Sequence, residues 1–438
     1  MKVCLHRPSR NHGSALLVVM MVILVLGISL AAYLALMHHQ QASVVRSQAW
    51  NKALTMAEAG VEEALAQLNP SAVLFNTNMD RGVNGWSLLS DGMYHAPRRI
   101  IADGYYDVAI TADAYPKIYS TGYVTIRALS STVVRKVAVT TANLGVFRGS
   151  MAARVNIDLK GNNIWTDSFD SADPLHSTNG LYYKPWRKAG GDVASAGGLI
   201  NVQNADVRGT LYTSPLGSVS LGPGGSVGDL NWPLGGGLQA GHWKNDFNME
   251  FPDVLPPYTT GLQPATWDDK ANGTNYTYLG NGNYMIDNGK WPLKFNSGDV
   301  ILVTGQARLY VTGDFIMGGQ SQIVIAPGAS LQLYVGGQNT QFQTINNGGN
   351  CATFSYFGLP ANTSVNLAGN NLLLGTIYAP SASLTLAGSG DPKNPFDFQG
   401  ACAVNTIKMN GHFNFHFDEN LKRQGPVRGY QIASWTEL

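Results

Sequence analysis

The chain has 438 residues and 50 glycines, and only 13% of its residues are charged. This length can bury a sizeable core, and many glycines with few charges favour short strands and turns over a helical enzyme. The formal net charge of +1 gives no electrostatic reason to expect nucleic acid as a partner, because such binding depends on neutralising phosphates.

An apolar stretch at residues 14–37 contains no charged side chain. A helix of this length can cross the roughly 30 Å hydrocarbon layer of a bilayer. Lys2, Arg7 and Arg10 precede it, so the positive-inside bias predicts a cytoplasmic N-terminus and an exported remainder. A secretory signal peptide is the main competitor, but its apolar region is shorter, about 7–15 residues. We therefore expect a retained, single-pass membrane helix.

The helical pattern continues beyond the membrane and ends at Asn69-Pro70, where proline cannot extend a helix. Apolar residues recur at helical spacing in this part of the chain: Trp50, Leu54, Met56, Ala57, Val61, Ala64, Leu65 and Leu68. The sequence thus predicts one transmembrane and stalk helix over residues 14–69, about 80 Å long at 1.5 Å per residue.

The N-terminus resembles type IV prepilins in three features. A short basic leader ends in Gly13, an uncharged stretch starts at Ser14, and the sequence MAEAGVEEAL follows at 56–65. The likeness covers about the first 70 residues and is greatest to PilX-type minor pilins and to K-type minor pseudopilins of type II secretion. It implies that residues 1–13 are a leader, which a prepilin peptidase removes by cutting after Gly13.

Val18 occupies the fifth position of the expected mature chain, where major pilins carry Glu. In that family the Glu pairs with the N-terminal amine of a neighbouring subunit, since a charge in lipid is costly unless paired. Val18 at this helix assembly position therefore implies a minor, tip or accessory subunit. Ser14 replaces the usual Phe, Met or Leu, which leaves methylation of the mature N-terminus open. A plain single-pass anchor without an assembly role is the alternative.

Residues 70–146 are predicted to form a small α+β pilin-like module. Gly, Asn and Asp are mixed with isolated apolar residues up to about residue 100, which is typical of loop. Runs of β-branched and aromatic residues follow at 105–110, 118–126 and 133–141. Polar turns separate these runs, so we expect them to pair as antiparallel strands.

From residue 147 onward, short strands with alternating apolar residues recur in two series. They lie at 155–159, 199–202, 207–212 and 219–221, and then at 300–303, 307–311, 322–325, 331–335, 365–368, 372–378, 383–387 and 403–409. Short strands with minimal connections favour a right-handed parallel β-solenoid, in which each coil buries its inner face against its neighbours, over a β-sandwich. The expected fold class is therefore mainly β, with a long N-terminal helix.

This solenoid is predicted in two parts, a first segment at 147–228 and a C-terminal domain at 295–438. The irregular, proline-rich residues 229–294 between them are expected to be an insertion that packs along the solenoid. Residues 295 to about 425 resemble an uncharacterised domain often found after PilX-like N-termini in bacterial envelope proteins. The resemblance implies a β-helical fold and no known chemistry.

No residue pattern predicts a catalytic, cofactor or metal site. Asp167, Asp170 and Asp173 could line a calcium loop, but their spacing does not match the EF-hand and Asp is common in turns. His412 and His416 could share a face of a strand, yet a metal site usually needs three or four ligands. The aspartates are therefore interpreted as turn residues and the histidines as structural residues.

Two smaller features stay open in the sequence. Exposed aromatics could stack on sugar rings or simply pack: Trp165, Tyr182, Tyr183 and Trp186. Cys351 and Cys402 are the two cysteines outside the leader, and in an exported region they could form a disulfide or remain buried thiols.

These observations predict a non-catalytic minor pilin or pseudopilin-like component of a type IV pilus or type II secretion-type assembly. The expected partners are other pilins or pseudopilins, the inner-membrane assembly platform, prepilin peptidase and the membrane, with no nucleic acid and no cofactor. The chain would lie in the inner membrane with its C-terminal domain periplasmic, or extracellular on a filament. The alternatives are a membrane-anchored adhesin that binds surface glycans and, further off, a polysaccharide-acting enzyme.

Overall fold

The computed structural model describes residues 12–69, 84–113, 115–161, 164–269, 273–287, 293–368, 372–388, 396–424 and 427–438. Residues 1–11 of the predicted leader and residues 70–83 of the predicted pilin-like module lie outside the described residues. The chain divides into two compact units. Among the described residues, the first unit holds 12–68, 84–142 and 432–438, and the second holds 69 and 143–431.

The described helices are α1 (His12–Leu68) and α2 (Leu421–Gln424), with two 3-10 turns at Arg127–Leu129 and Lys184–Trp186. The strands up to the middle of the chain are β1 (Ser87–Leu88), β2 (Met93–His95), β3 (Arg99–Ile101), β4 (Gly104–Thr111), β5 (Lys117–Ile126), β6 (Ser131–Gly145), β7 (Met151–Leu159), β8 (Trp165–Phe169), β9 (Val193–Ser195), β10 (Leu199–Gln203), β11 (Asp206–Arg208), β12 (Leu211–Thr213), β13 (Ser218–Leu221), β14 (Ser226–Gly228), β15 (Gly237–Leu238) and β16 (Trp243–Lys244). The strands that follow are β17 (Ala265–Asp269), β18 (Thr274–Leu279), β19 (Gly282–Ile286), β20 (Leu293–Phe295), β21 (Val300–Val303), β22 (Gln306–Val311), β23 (Phe315–Met317), β24 (Gln322–Ile325), β25 (Ser330–Val335), β26 (Asn339–Phe342), β27 (Thr344–Asn347), β28 (Phe354–Gly358), β29 (Ser364–Ala368), β30 (Leu373–Gly388), β31 (Phe396–Gly411), β32 (Phe413–Asp418) and β33 (Val427–Glu437).

The first unit is a long helix packed on a small antiparallel sheet, which confirms this part of the predicted fold class. The sheet has the order β1-β2-β4-β5-β6-β33, with β3 on β4. Side chains of β5 alternate between buried and exposed along the strand, as expected for a sheet with one face covered. The three strand runs predicted from the sequence lie within β4, β5 and β6.

The last strand of this sheet comes from the C-terminus of the chain. The sequence leaves the first unit after residue 142 and returns to it at residue 432, so the second unit is inserted before the final strand. The Leu438 amide donates to the Lys136 carbonyl at 2.9 Å, and Glu437 forms an ion pair with Arg135. Residues 432–438, which the sequence analysis includes in the C-terminal domain, thus complete the first unit.

The second unit has the coil pattern of a parallel β-solenoid rather than a sandwich. Strands β24, β25 and β26 form one coil and pair in parallel with β21, β22 and β23 of the preceding coil. The next coil repeats this register with β27, β28 and β29. Valine, isoleucine, leucine and phenylalanine side chains from successive coils meet in one buried inner cluster, which supplies the main hydrophobic stabilisation.

The two predicted strand series form one continuous stack, joined in an order that the sequence does not suggest. Strand β31, near the C-terminus, pairs in parallel with β7, and β32 pairs with β8. The coils of residues 151–228 therefore stack on the C-terminal end of the later series. Within residues 229–294, Phe251 and Val254 are buried in a second cluster with Tyr310, Phe357 and Tyr378. The later part of this range is itself solenoid, because β18, β19 and β20 pair in parallel with β21, β22 and β23.

Candidate functional site

The first half of α1 presents an apolar surface that nothing in the described chain covers. The large apolar side chains from Leu16 to Leu36 are all more than half exposed. Residues Ala15–Leu68 form the one described helix that is long and apolar enough to cross a membrane, judged by length and composition. A surface of this size is far larger than the apolar patches usually exposed to water, so it marks contact with lipid or with other helices.

The second half of α1 is instead packed on its own sheet through small residues. A buried stripe with helical spacing faces β4 and β5: Ala49, Ala53, Ala57, Gly60, Val61, Ala64 and Leu68. An added Cβ on Gly122 would lie 2.1 Å from the Ala53 carbonyl oxygen. The helix and β5 therefore approach at backbone distance, which only glycine at this strand position permits.

Ion pairs at the rim hold the packed half of α1 to the sheet. Arg99 donates from Nη2 to Glu63 Oε1 at 2.8 Å, and the Tyr106 hydroxyl donates to Glu63 Oε2 at 2.7 Å. Burial raises the pKa of Glu63, but these two hydrogen bonds outweigh burial and hold it below the usual range. Burial and the Glu63 charge raise the pKa of Tyr106 to about 12. Lys52 also pairs with Asp103 at 3.1 Å.

The residues singled out for processing and assembly lie at the start of α1. Gly13 and Ser14 are within the first turn of the helix. Val18 is 60% exposed, so it is open to a neighbouring molecule or to lipid. Cleavage after Gly13 and the assembly role of Val18 stay predictions.

The second candidate site is a buried cluster of titratable side chains on the solenoid. His416 Nδ1 lies 2.5 Å from Asp167 Oδ1, and the Tyr182 ring stacks on the imidazole with centroids 3.5 Å apart. The Tyr182 hydroxyl donates to Asp167 Oδ2 at 2.7 Å, and Asp397 lies 3.8 Å from His416 Nε2. Burial lowers the pKa of His416, but the adjacent Asp167 and Asp397 outweigh burial and raise it. The two carboxylates therefore favour the protonated form of His416, which offsets part of their negative charge.

The four aromatic side chains proposed for sugar stacking come together, yet two of them are already occupied. Trp165 is flanked by the guanidinium groups of Arg187 and Arg208, at 5.4 and 5.0 Å from the ring centroid, and Tyr182 covers His416. Tyr183 and Trp186 remain exposed and meet edge-on with centroids 5.1 Å apart. The first two rings therefore hold the loop in place.

The three aspartates do not converge on a common point. Asp170 pairs with Arg423 at 2.7 and 2.8 Å, and Asp173 accepts from the Leu175 amide at 2.9 Å within a turn. Asp167 binds His416 instead. Over the described residues no group of three or more His, Cys, Asp or Glu side chains could hold a metal ion.

Cys351 and Cys402 are free and buried in the structure, so no disulfide joins them there. Cys402 belongs to the inner cluster of the solenoid, whereas Cys351 belongs to the second cluster. Burial raises the pKa of both thiols, which makes them poor nucleophiles.

The sequence could not reveal which polar side chains meet. Asp167 and His416 are 249 residues apart and become neighbours because β32 pairs with β8. The same stacking brings Asp192 near Lys422, and no local motif marks either residue. The apolar residues at helical spacing on α1 are the signal in the sequence that predicts its packed half.

Residues 259–424 match the family model described as "Domain of unknown function (DUF7305)". That match covers less than half of the chain, and its description names no activity. No curated protein matches the chain. The chain is similar to the crystal structure of competence-associated pilin ComZ from Thermus thermophilus, at 9% sequence identity over 88% of this chain and 96% of that chain, with a TM-score of 0.25. A likeness at this TM-score carries no argument about function, so the proposal below rests on the chain's own residues.

Proposed function

We propose that this protein is a non-catalytic, pilin-like subunit that joins a multi-subunit envelope assembly through α1. The assembly would be of the type IV pilus or type II secretion kind, with this chain as a minor component. The β-solenoid is the part that the assembly would display. The proposed partners are other pilins or pseudopilins, the assembly platform of the inner membrane and prepilin peptidase.

One observation carries this proposal: the division of α1 into an uncovered apolar half and a half packed on its own sheet. The uncovered half can lie in lipid before assembly and pack against neighbouring helices after it. Its apolar surface stays out of water in both the membrane-inserted and the assembled state. An ordinary membrane anchor needs only the first property. The packed half, which continues the same helix from Ala49 to Leu68, would fix the rigid spacing that an ordered assembly requires.

The resemblance of the N-terminus to prepilins supports a specific maturation step. Prepilin peptidase would cut after Gly13 on the cytoplasmic face and leave Ser14 as the mature N-terminus. Retention of the helix would keep the protein in the inner membrane, with its N-terminus cytoplasmic and its two folded units on the other side. Val18 would make it an accessory rather than a bulk subunit, because it cannot pair with a neighbour's amine.

The test of this maturation is Gly13→Glu, expressed with prepilin peptidase and analysed by mass spectrometry of the intact chain. We expect the wild-type protein to begin at Ser14 and the variant to keep residues 1–13. Ser9→Glu adds the same charge within the leader but leaves the cleavage position intact, so it should still mature. A mature N-terminus at Ser14 in Gly13→Glu, or a wild-type chain that begins near residue 40, would rule out prepilin processing.

The assembly step is tested by Val18→Glu, with Val19→Glu as the matched control. Both add one carboxylate to the uncovered half of α1 at nearly the same depth, so their costs in lipid should be similar. Only position 18 would reach a neighbour's N-terminal amine, and we expect only that variant to change the yield of cross-linked assemblies. Equal yields for the two variants would exclude a special role for this position.

A further inference from the structure

A cavity of about 390 Å³ opens on the second unit where five chain segments meet. Strand β9 and the residues just before it form the floor, and β12 forms one wall. Residues 246–249 form another wall, residues 148–149 also line the cavity, and α2 closes the end. A volume of this size lies within the range of ligand pockets, about 300–1,000 Å³.

The floor of the cavity holds a carboxylate that the backbone fixes in position. The Asp192 carbonyl accepts from the Ser150 amide at 2.9 Å and from the Ser150 hydroxyl at 2.6 Å. Asp192 Oδ1 accepts from the Thr210 amide at 2.8 Å, and its second oxygen accepts no hydrogen bond from the described residues. Burial raises the pKa of Asp192. A partly desolvated carboxylate with a free acceptor oxygen gains most from hydroxyl or amide donors on a ligand.

The lining of the cavity also supplies cations. Arg148 and Lys422 line it and are exposed, as is Asp246, so the lining holds two cations and, with Asp192, two carboxylates. Arg148 forms no ion pair or hydrogen bond within the described part of the chain, and the positive charge of Lys422 acts on Asp192. An unpaired guanidinium beside an ammonium group is suited to a ligand carboxylate, which arginine can bind through two parallel hydrogen bonds.

The walls supply aromatic surface. Tyr212 and Phe247 line the cavity with ring centroids 6.4 Å apart and planes inclined at 49°. The Phe247 amide donates to the Thr213 carbonyl at 3.0 Å, which fixes the segment that carries this ring against β12. Rings held in this way offer apolar faces to a saccharide while the polar groups orient its substituents.

We propose that this cavity binds an acidic saccharide, with its carboxylate on Arg148 and Lys422, its hydroxyl groups on Asp192, and a sugar ring against Tyr212. A phosphate or sulfate ion alone would meet the Asp192 carboxylate and be repelled, whereas a uronic acid carries both the hydroxyl donors and the anion that the cavity matches. The inference does not depend on the assembly role of α1.

The experiment is titration calorimetry of the full-length protein in detergent micelles. The probes are a tetramer of α-1,4-linked galacturonic acid, a tetramer of β-1,4-linked glucuronic acid, and the methyl esters of both. We expect at least one acid to bind and its ester to bind about tenfold more weakly or worse, because the ester removes the charge but keeps the ring and hydroxyls. Arg148→Gln should weaken binding of the acid by a similar factor. Asp192→Asn should weaken binding of the acid and of the ester to the same extent.

Arg154→Gln is the control, because Arg154 is exposed on β7 and does not line the cavity. Lys422→Gln, a change at an exposed side chain, gives a second variant in case Asp192→Asn does not fold. The proposal is overturned if neither acid binds, if ester and acid bind equally, or if Arg148→Gln and Lys422→Gln behave like Arg154→Gln. Free phenylalanine is also titrated, and its binding in place of both saccharides would assign the cavity to a zwitterion and overturn the proposal.

Discussion

Replacement of Gly122 by alanine should loosen the packed half of α1. A Cβ at this position would lie 2.1 Å from the Ala53 carbonyl oxygen and 2.6 Å from the Ala57 amide nitrogen. Both neighbours are helix backbone atoms, so no side-chain rotation can relieve the overlap. The helix would have to move away from β5, and with it the stripe of buried small residues.

The expected cost follows from the nature of these contacts. Overpacking typically costs about 1–3 kcal/mol, and two backbone neighbours place Gly122→Ala at the upper end. Gly60→Ala should cost less, because its nearest contact is the Ser120 hydroxyl at 2.3 Å and alanine gains about 1 kcal/mol of helix propensity. Gly27→Ala is the control, since nothing lies within 4 Å of its added Cβ.

Hydrogen exchange of the full-length protein in micelles measures this effect locally. A loss of about 3 kcal/mol corresponds to roughly 100-fold faster exchange of the amides of α1 between residues 49 and 68. We expect protection of these amides to decrease in the order Gly27→Ala, Gly60→Ala, Gly122→Ala, with Gly27→Ala at least as well protected as the wild type. Equal protection in Gly122→Ala and Gly27→Ala would show that α1 and β5 do not approach as described.

Three further predictions concern polar groups that are buried or partly buried. The pKa of Glu63 is lowered in the folded state, so its contribution to the free energy of unfolding is complete above about pH 4.5 and is lost as the pH falls through the lowered value. In urea unfolding at a series of pH values, the free energy of unfolding of Glu63→Gln should therefore fall less at acid pH than that of the wild type. The pKa of His416 is raised, so its contribution to stability is complete below about pH 6.5 and is lost as the pH rises through the raised value. His416→Gln should remove this loss of stability at higher pH, measured as the protection of the amides of residues 170–188 against hydrogen exchange. Tyr356→Phe breaks the buried hydrogen bonds to Thr340 and Asn362 and should lower the free energy of unfolding by about 1–3 kcal/mol, measured from the urea midpoint.

The parts of the fold that the sequence predicts well are those set by local periodicity. An uncharged stretch, apolar residues at helical spacing and a helix stop at Pro70 suffice to predict α1. Alternating apolar residues with turn residues every few positions likewise indicate the coils of the solenoid. Each of these signals lies within one element, so no knowledge of distant contacts is needed to recognise it.

The order of the coils and the composition of the sites depend on pairing between distant segments. Nothing in the sequences of β7 and β31 specifies that they pair, because many parallel strands here have similar Val, Ile and Ala patterns. The polar cluster at His416 forms because β32 pairs with β8 in the same stacking, and the cavity at Asp192 likewise joins segments that are distant in the sequence. Their residues look like ordinary turn and strand residues in the sequence, so nothing in it indicates that they meet.

The insertion of the solenoid before the last strand of the first unit has a consequence for how the anchoring helix is stabilised. Arg135 on β6 is buried, lies 4.1 Å from the centroid of the Trp50 ring on α1, and pairs with Glu437 of the final strand. Without that strand the Arg135 guanidinium would lose its carboxylate partner and β6 would lose its neighbour at the edge of the sheet. The packed half of α1 therefore reaches full stability only when the C-terminus has been made and has returned to the sheet. This arrangement couples the fixing of α1 on its sheet to the presence of the final strand, so a chain truncated before that strand would present a poorly fixed helix.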